Sequence, residues 1–333
     1  MIFAMSSFFF FMLLILGTVL SISASSWFGA WVGLELSLIS FIPLLATKMN
    51  SFFSEAALKY FLIQALGSAI IIMSSFIYLL VMDISSFLIF MALLLKLGGA
   101  PFHFWFPQVL SALSWSQGVI LMLIQKIAPF FLISLLMINL QMVKILLFFS
   151  IISAVVGAVG GVNSLNLRKI LAFSSINHMS WMLVSLVISD SLWVIYFMIY
   201  SFILISVVSL FSYLQVSSLL DLLSFKSSSK FFCFLVPLSL LSLGGLPPFT
   251  GFIPKWLVIQ FMIGSWLFVP LFFLLGSALI TLYFYMRISI PFFLLLMPTT
   301  KKMKSWKDKG IFFSFFFFFN FGGLLMPVSF FFF

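Results

Sequence analysis

Apolar runs of about twenty residues, parted by short polar breaks, cover almost the whole chain. An α-helix needs roughly 20 apolar residues to cross the hydrocarbon core of a bilayer. Eleven stretches reach or approach that length: 4–24, 27–46, 56–81, 86–106, 112–134, 145–162, 170–189, 191–213, 232–258, 266–286 and 311–331. The breaks carry Asn, Ser, Lys or Asp, as at 47–54, 163–169 and 215–230. The pattern predicts an all-α polytopic membrane protein of about eleven transmembrane helices. Stretch 4–24 is not read as a signal peptide, because it lacks a basic leader and runs almost directly into the next span.

Two of the runs are interrupted from within. Residues 97–107 read LGGAPFHFWFP and residues 243–254 read LGGLPPFTGFIP, starting 146 residues apart. Proline removes a backbone donor and frees a carbonyl, so Gly-Gly followed closely by Pro predicts a helix broken inside its span. Irregular backbone at membrane depth survives only against protein or a wet cavity. The first copy falls in the fourth span and the second in the ninth. Five spans is an odd separation, so two successive five-span units would point in opposite directions. The expected architecture is therefore two inverted five-helix repeats with broken helices, at 1–135 and 136–290, followed by a basic loop and C-terminal helix at 291–333. The bland alternative is that Gly and Pro are frequent in membrane helices anyway. It accounts for one such segment better than for a matched pair.

Composition narrows the classes. At 64% hydrophobic over 333 residues, the chain is no ordinary soluble domain. The 49 phenylalanines include patternless tracts such as 8–11 and 315–319, and no function is read into them. A single cysteine, Cys233, excludes a disulfide framework and a cysteine-held iron–sulfur cluster. No GxGxxG, P-loop or metal-spaced ligand set is present, so the chain is not expected to bind a redox cofactor of its own. The net charge of +10 lacks the basic and aromatic interleaving of a nucleic-acid binder. It reports topology instead. With eleven spans, the N-terminal side receives Lys48, Arg168, Lys169, Lys226, Lys230, Arg287, Lys301, Lys302, Lys304, Lys307 and Lys309. The opposite side receives Lys144, with Asp83 and Asp190. The positive-inside rule then puts the N-terminus on the cytoplasmic or matrix side and the C-terminus across the membrane.

In a chain with 7% charged residues, five charges inside or at the edge of the spans need a reason: Glu35, Lys59, Lys96, Lys126 and Lys255. A charge at the bilayer centre costs about 2.5–3.5 kcal/mol on insertion scales. Such groups usually face a polar interior and balance or move charge. Glu35, in WVGLELSLISF, is either half of a geometry-dependent charge pair or a static strut between helices. Lys96 immediately precedes the first break, Lys126 lies three residues before Pro129, and Lys255 follows Pro254 of the second break. Each is a relay site, or a lysine that snorkels to a headgroup; Lys255 is the most open to that second reading. Glu55 and Lys59 are spaced i,i+4 on one helix face, which fits an interfacial pair; the second reading has Lys59 contact the Glu35 region. His103 and His178 can exchange protons near neutral pH or serve as satisfied structural histidines. Ser174, Ser175 and Asn177 line a hydrated path with His178 or pack helices by hydrogen bonds.

Five segments carry a family resemblance: WFGAWVGLELSLISFIPLL at 27–45, EAALKYFLIQALGS at 55–68, KLGGAPFHFWFPQV at 96–109, RKILAFSSINHMSWM at 168–182 and SLGGLPPFTGFIPKW at 242–256. Over essentially its whole length the chain resembles the mitochondrially encoded subunit 2 family of NADH:ubiquinone oxidoreductase, respiratory complex I, in its invertebrate form. That family is antiporter-like and pumps protons in the membrane arm. The resemblance implies that Glu35 and Lys96 form the glutamate–lysine pair of a first half-channel, that Lys126 connects toward the centre, and that Lys255 is the terminal lysine of a second half-channel. His178 would lie on the central polar axis. The resemblance also implies that NADH, FMN, iron–sulfur clusters and ubiquinone are held by other subunits. The partners would be membrane-arm subunits, neighbouring antiporter-like ones included, and membrane lipids, with no nucleic acid. The location would be the mitochondrial inner membrane, with the N-terminus in the matrix and the C-terminus in the intermembrane space. Fourteen-span relatives exceed this chain by three spans at the N-terminus. The second half has no glutamate of its own at membrane depth, so Lys255 needs a polar or neighbouring partner. A free-standing cation/proton antiporter and a non-pumping structural subunit are the rival readings.

Overall fold

The computed structural model describes residues 2–45, 51–78, 82–137, 139–219, 221, 230–296 and 320. Among them the regular structure is helical, apart from an isolated bridge between Asn166 and Ser218. The chain forms two compact units, residues 1–149 and 150–333.

The first unit holds α1 (Ile2–Ser23), α2 (Trp27–Leu45), α3 (Ser51–Ile77), α4 (Met82–Leu97), α5 (Trp105–Ala112), α6 (Trp115–Met122) and α7 (Ile124–Ser134), with the start of α8 (Leu140–Val162). Small residues set the closest approach. Gly17 and Ser21 on α1 face Gly33 and Ser37 on α2, each pair spaced by four. A Cβ on Gly33 would lie 2.5 Å from the Ser21 amide nitrogen, and one on Gly17 would lie 2.7 Å from that of Ser37. In lipid there is no hydrophobic drive between helices, and close backbone packing of small residues supplies the attraction. This contact fixes the rotation of α2, and with it the heading of Glu35.

The second unit continues through α9 (Leu167–Ile188), α10 (Asp190–Leu214), α11 (Lys230–Gly244), α12 (Phe252–Gly264) and α13 (Phe268–Leu296). Helix α9 is its centre, with 89% of its apolar window buried against 22% for α1. Its polar run Ser174–Ser175–Ile176–Asn177–His178 is unsuited to lipid, and α10, α12 and α13 pack against it. Outward faces of α1, α3 and α13 present Phe8, Phe9, Leu62, Leu66, Phe272 and Leu279, as a hydrocarbon solvent favours.

Eight helices among the described residues are long and apolar enough to cross a membrane, counting α6 and α7 as one. The three other expected spans have separate explanations. Stretches 86–106 and 232–258 are each split by their Leu-Gly-Gly break, leaving α4 at 16 residues, α11 at 15 and α12 at 13. Stretch 311–331 lies outside the described residues apart from Asn320, and so do Lys48, Lys226 and the basic residues 301–309. One expectation needs correction. Stretch 112–134 is not a continuous helix but pauses at Leu123 (φ −113°, ψ −70°), three residues before Lys126. The proline of this stretch, Pro129, sits inside α7, so the pause does not fall at it.

Candidate functional site

Both Leu-Gly-Gly segments end a helix, through a glycine in the left-handed region. Gly98 (φ 71°) follows α4 and Gly245 (φ 77°) follows α11. L-residues avoid that conformation and glycine adopts it freely. The sequence match predicts equivalent positions, yet the first glycine of the pair turns in one copy and the second in the other. Helix α11 simply runs one residue further before stopping. Each stop leaves carbonyls without helical partners, and these gather about half a negative charge at a helix C-terminus. The lysines sit there.

Lys96 lies in the last turn of α4 and is 7% exposed. Its stem crosses α3 at Gly67, where a Cβ would come within 3.1 Å of the lysine Cγ. Gln64 of α3 donates to the Lys96 carbonyl at 3.1 Å. Trp105, just past the break, donates its indole N–H to the Leu95 carbonyl at 3.1 Å. A cavity of about 10 Å³ opens beside this lysine, lined by Leu34, Ser37 and Leu38 of α2, Tyr60 and Gln64 of α3, Lys96, and Gln125 and Pro129 of α7. That is about the size one water molecule requires, with enough polar groups to hold it.

Glu35 follows Leu34, which lines this cavity, but is not itself one of the lining residues. Its carboxylate acts electrostatically on both Lys96 and Tyr60, yet no Glu35–Lys96 ion pair is closed. One carboxylate oxygen, Oε2, is buried without a hydrogen-bond partner, and so is the indole Nε1 of Trp31 one turn earlier on α2. Coulomb attraction at the edge of ion-pair range, about 4 Å, is about 4 kcal/mol at an effective dielectric of about 20. The Glu35–Lys96 attraction therefore stays below that figure.

Lys126 is 2% exposed, with Nζ 5.1 Å from the centroid of the Phe106 ring. Phe106 in turn packs on Gly98, where a Cβ would approach it to 3.0 Å. One aromatic side chain thus joins the first break to Lys126. Such a cation–π contact contributes about 0.5–2 kcal/mol.

In the second unit Lys255 is 6% exposed and reaches back from α12 to donate to the Gly244 carbonyl at 2.7 Å. It does not snorkel. Its Cδ and Nζ lie over Gly245, where a Cβ would approach them to 2.9 and 3.1 Å. His178 on α9 pairs through Nδ1 with the Tyr196 hydroxyl at 3.0 Å and stacks on Tyr200 at 4.7 Å between centroids. The Tyr200 and Tyr285 hydroxyls face Ser175 and Ser174 without closing well-formed hydrogen bonds. Asn177 accepts from Ser277 of α13 at 2.9 Å. The polar run of α9 is therefore a lattice of small hydrogen-bonding groups around a histidine.

Two sequence candidates fall elsewhere. Lys59 closes an i,i+4 pair with Glu55 at 2.7 Å, with side-chain exposures of 43% and 62%, away from the cavity. His103 lies in the first break, half-buried, with Nδ1 3.2 Å from the Pro101 carbonyl and its ring stacked on Phe104. Tyr60, Gln64 and Gln125 were not anticipated as cavity residues. Tyr60, Gln64 and Ser68 recur every four residues on α3, and such a polar stripe in a lipid helix marks a face turned toward protein.

The fold and these buried groups define a polytopic helical membrane protein that keeps lysines at the ends of broken helices. A family profile described as "NADH:quinone oxidoreductase/Mrp antiporter, TM" matches residues 24–281. The chain belongs to this family, and within it to the NADH-ubiquinone oxidoreductase chain 2 proteins. The chain 2 protein of Anopheles gambiae is 46% identical over 86% of this chain and 85% of its own length. That of Locusta migratoria is 41% identical over 83% and 82%. Among solved structures, respiratory complex I from Thermus thermophilus with bound aureothin contains a chain that superposes with a TM-score of 0.76 at 22% identity, covering 89% of this chain and 72% of that one. The archaeal membrane-bound sulfane sulfur reductase gives 0.82 at 17%, covering 96% and 73%. These two likenesses bear on the fold alone.

Proposed function

We propose that the chain is a proton-translocating membrane-arm subunit of NADH:ubiquinone oxidoreductase in the mitochondrial inner membrane. Glu35, Lys96, Lys126, Lys255 and His178 carry or relay the charge. The observation that carries this reading is the small cavity beside Lys96, together with a glutamate on α2 that acts electrostatically on that lysine without an ion pair. An open pair can close or part as its surroundings change. Moving one elementary charge against 100 mV takes about 2.3 kcal/mol. The ceiling of about 4 kcal/mol on the Glu35–Lys96 attraction leaves room for a change of that size. Lys59, half-exposed in a local pair, is left out of the proposed relay.

In this reading NADH, FMN, iron–sulfur clusters and ubiquinone belong to other subunits, and electron transfer there alters the field or contacts that the lysines sense. The partners are other membrane-arm subunits and lipids. The chain has eleven spans in two inverted five-helix repeats, bounded near 135 and 290, with the N-terminus in the matrix and the C-terminus in the intermembrane space. The family membership and the loop charges support this arrangement. The test is Lys96→Met and Lys126→Met in the assembled enzyme, measured as protons moved per electron pair. A reduced ratio with retained NADH oxidation is expected. Full stoichiometry and rate in both would overturn the reading in favour of a structural subunit. Cation exchange by the isolated chain would favour the free-standing antiporter.

A further inference from the structure

We propose that Asn320 is a positioning residue for the Lys255 site. It is the only polar residue in the run from 315 to 321, FFFFFNF, and it is fully buried. Its Oδ1 accepts from the Ser242 hydroxyl at 2.6 Å, and its Nδ2 donates to the Ser206 hydroxyl at 3.3 Å. Its backbone carbonyl accepts from the Thr250 N–H at 3.2 Å. One side chain and its carbonyl thus tie together α10, α11 and the segment between α11 and α12. The last residue of α11 supplies the acceptor for Lys255. Ser242 lies two residues before Gly244, whose carbonyl receives the lysine, and Thr250 lies five residues before Lys255 itself. Freed backbone groups at membrane depth must be satisfied by protein, and Asn320 satisfies one of them directly. An amide is suited to this because it offers donor and acceptor at once without charge. The break is held from both sides, and the distance between Lys255 and its carbonyl is held with it.

The inference rests on the reading of Lys255 as a proton carrier, and two separate readouts tell the failures apart. In the assembled complex, hydrogen exchange of the 245–253 peptide reads the brace, and protons moved per electron pair across a pH series read the lysine. Asn320→Ala should speed exchange in that peptide about tenfold, the scale of losing one or two buried hydrogen bonds. It should also lower the stoichiometry and displace its pH profile. In a Lys255→Met background it should change neither stoichiometry nor profile further. Should Asn320→Ala reduce assembly, Ser242→Ala removes the same bond with a single oxygen lost and is read in the same way. Unchanged exchange overturns the proposal, as does a loss of pumping that adds to that of Lys255→Met. Full pumping by Lys255→Met, with faster exchange in Asn320→Ala, overturns the transport role of the lysine and still supports the brace.

Discussion

Replacing Lys96 by Met removes an ammonium and keeps an unbranched stem of similar length, which can still cross Gly67 where the lysine now lies. Packing is nearly preserved, so the effect is electrostatic. Glu35 keeps a buried, unpartnered Oε2 and loses its cationic neighbour. Breaking a buried pair by removing one partner commonly costs about 3–5 kcal/mol. Here the pair is open and Glu35 is only partly buried, so the expected loss is nearer 2 kcal/mol, within the Coulomb ceiling of about 4 kcal/mol set above. Glu35→Gln in the same chain removes the stranded charge, and the double variant should recover part of the loss. The assay is a double-mutant cycle on the thermal stability of the assembled complex, with proton stoichiometry read in parallel. A coupling of about 1–2 kcal/mol is expected, with pumping reduced in all three variants. Additivity within about 0.5 kcal/mol, together with full pumping in Lys96→Met, would refute the electrostatic link between the two residues.

Three further outcomes follow from the same geometry. Gly33→Val should lower the amount of assembled complex several-fold, because its Cβ would meet the Ser21 backbone at 2.5 Å; normal assembly by native electrophoresis would show that α1 and α2 are further apart. Lys59→Ala should leave proton stoichiometry unchanged and stability within about 0.5 kcal/mol, as for other exposed i,i+4 pairs; a loss of pumping would restore this lysine to the relay. Asp221, seven residues after the end of α10, accepts from the Ser217 hydroxyl and from the Ser218 and Ser217 amides, which hold its pKa below the ordinary 3.8. A lowered pKa contributes stability above the ordinary value and loses it as pH falls through the lowered one, so protection of the 217–218 amides should persist down to about pH 4 and a loss near pH 6 would contradict the assignment.

What was legible in the sequence was what the bilayer dictates. Apolar runs gave most helices to within a few residues, and the two Leu-Gly-Gly-x-Pro matches located both breaks, because glycine and proline are the residues that backbone geometry constrains most tightly. Lys96, Lys126 and Lys255 stood out because charge is rare at that depth. Tertiary detail was less visible. The pause at Leu123 has neither Gly nor Pro at its position. The one-residue offset between the two glycine turns was hidden by a matching dipeptide. Tyr60 and Gln64 look ordinary singly and gain meaning only when α3 is wound into a helix and placed against α4. Asn320 sat inside a phenylalanine tract that carried no pattern.

The central claim is that Glu35 and Lys96 interact electrostatically beside a water-sized cavity rather than through a closed ion pair or dry packing. A high-resolution cryo-EM map of the assembled complex tests it directly. The account predicts an ordered water within hydrogen-bonding reach of Lys96 and of Tyr60 or Gln64, with Glu35 and Lys96 unpaired in at least one state. Dry apolar packing between the two side chains, or a Lys96 ammonium turned out toward headgroups, would contradict it.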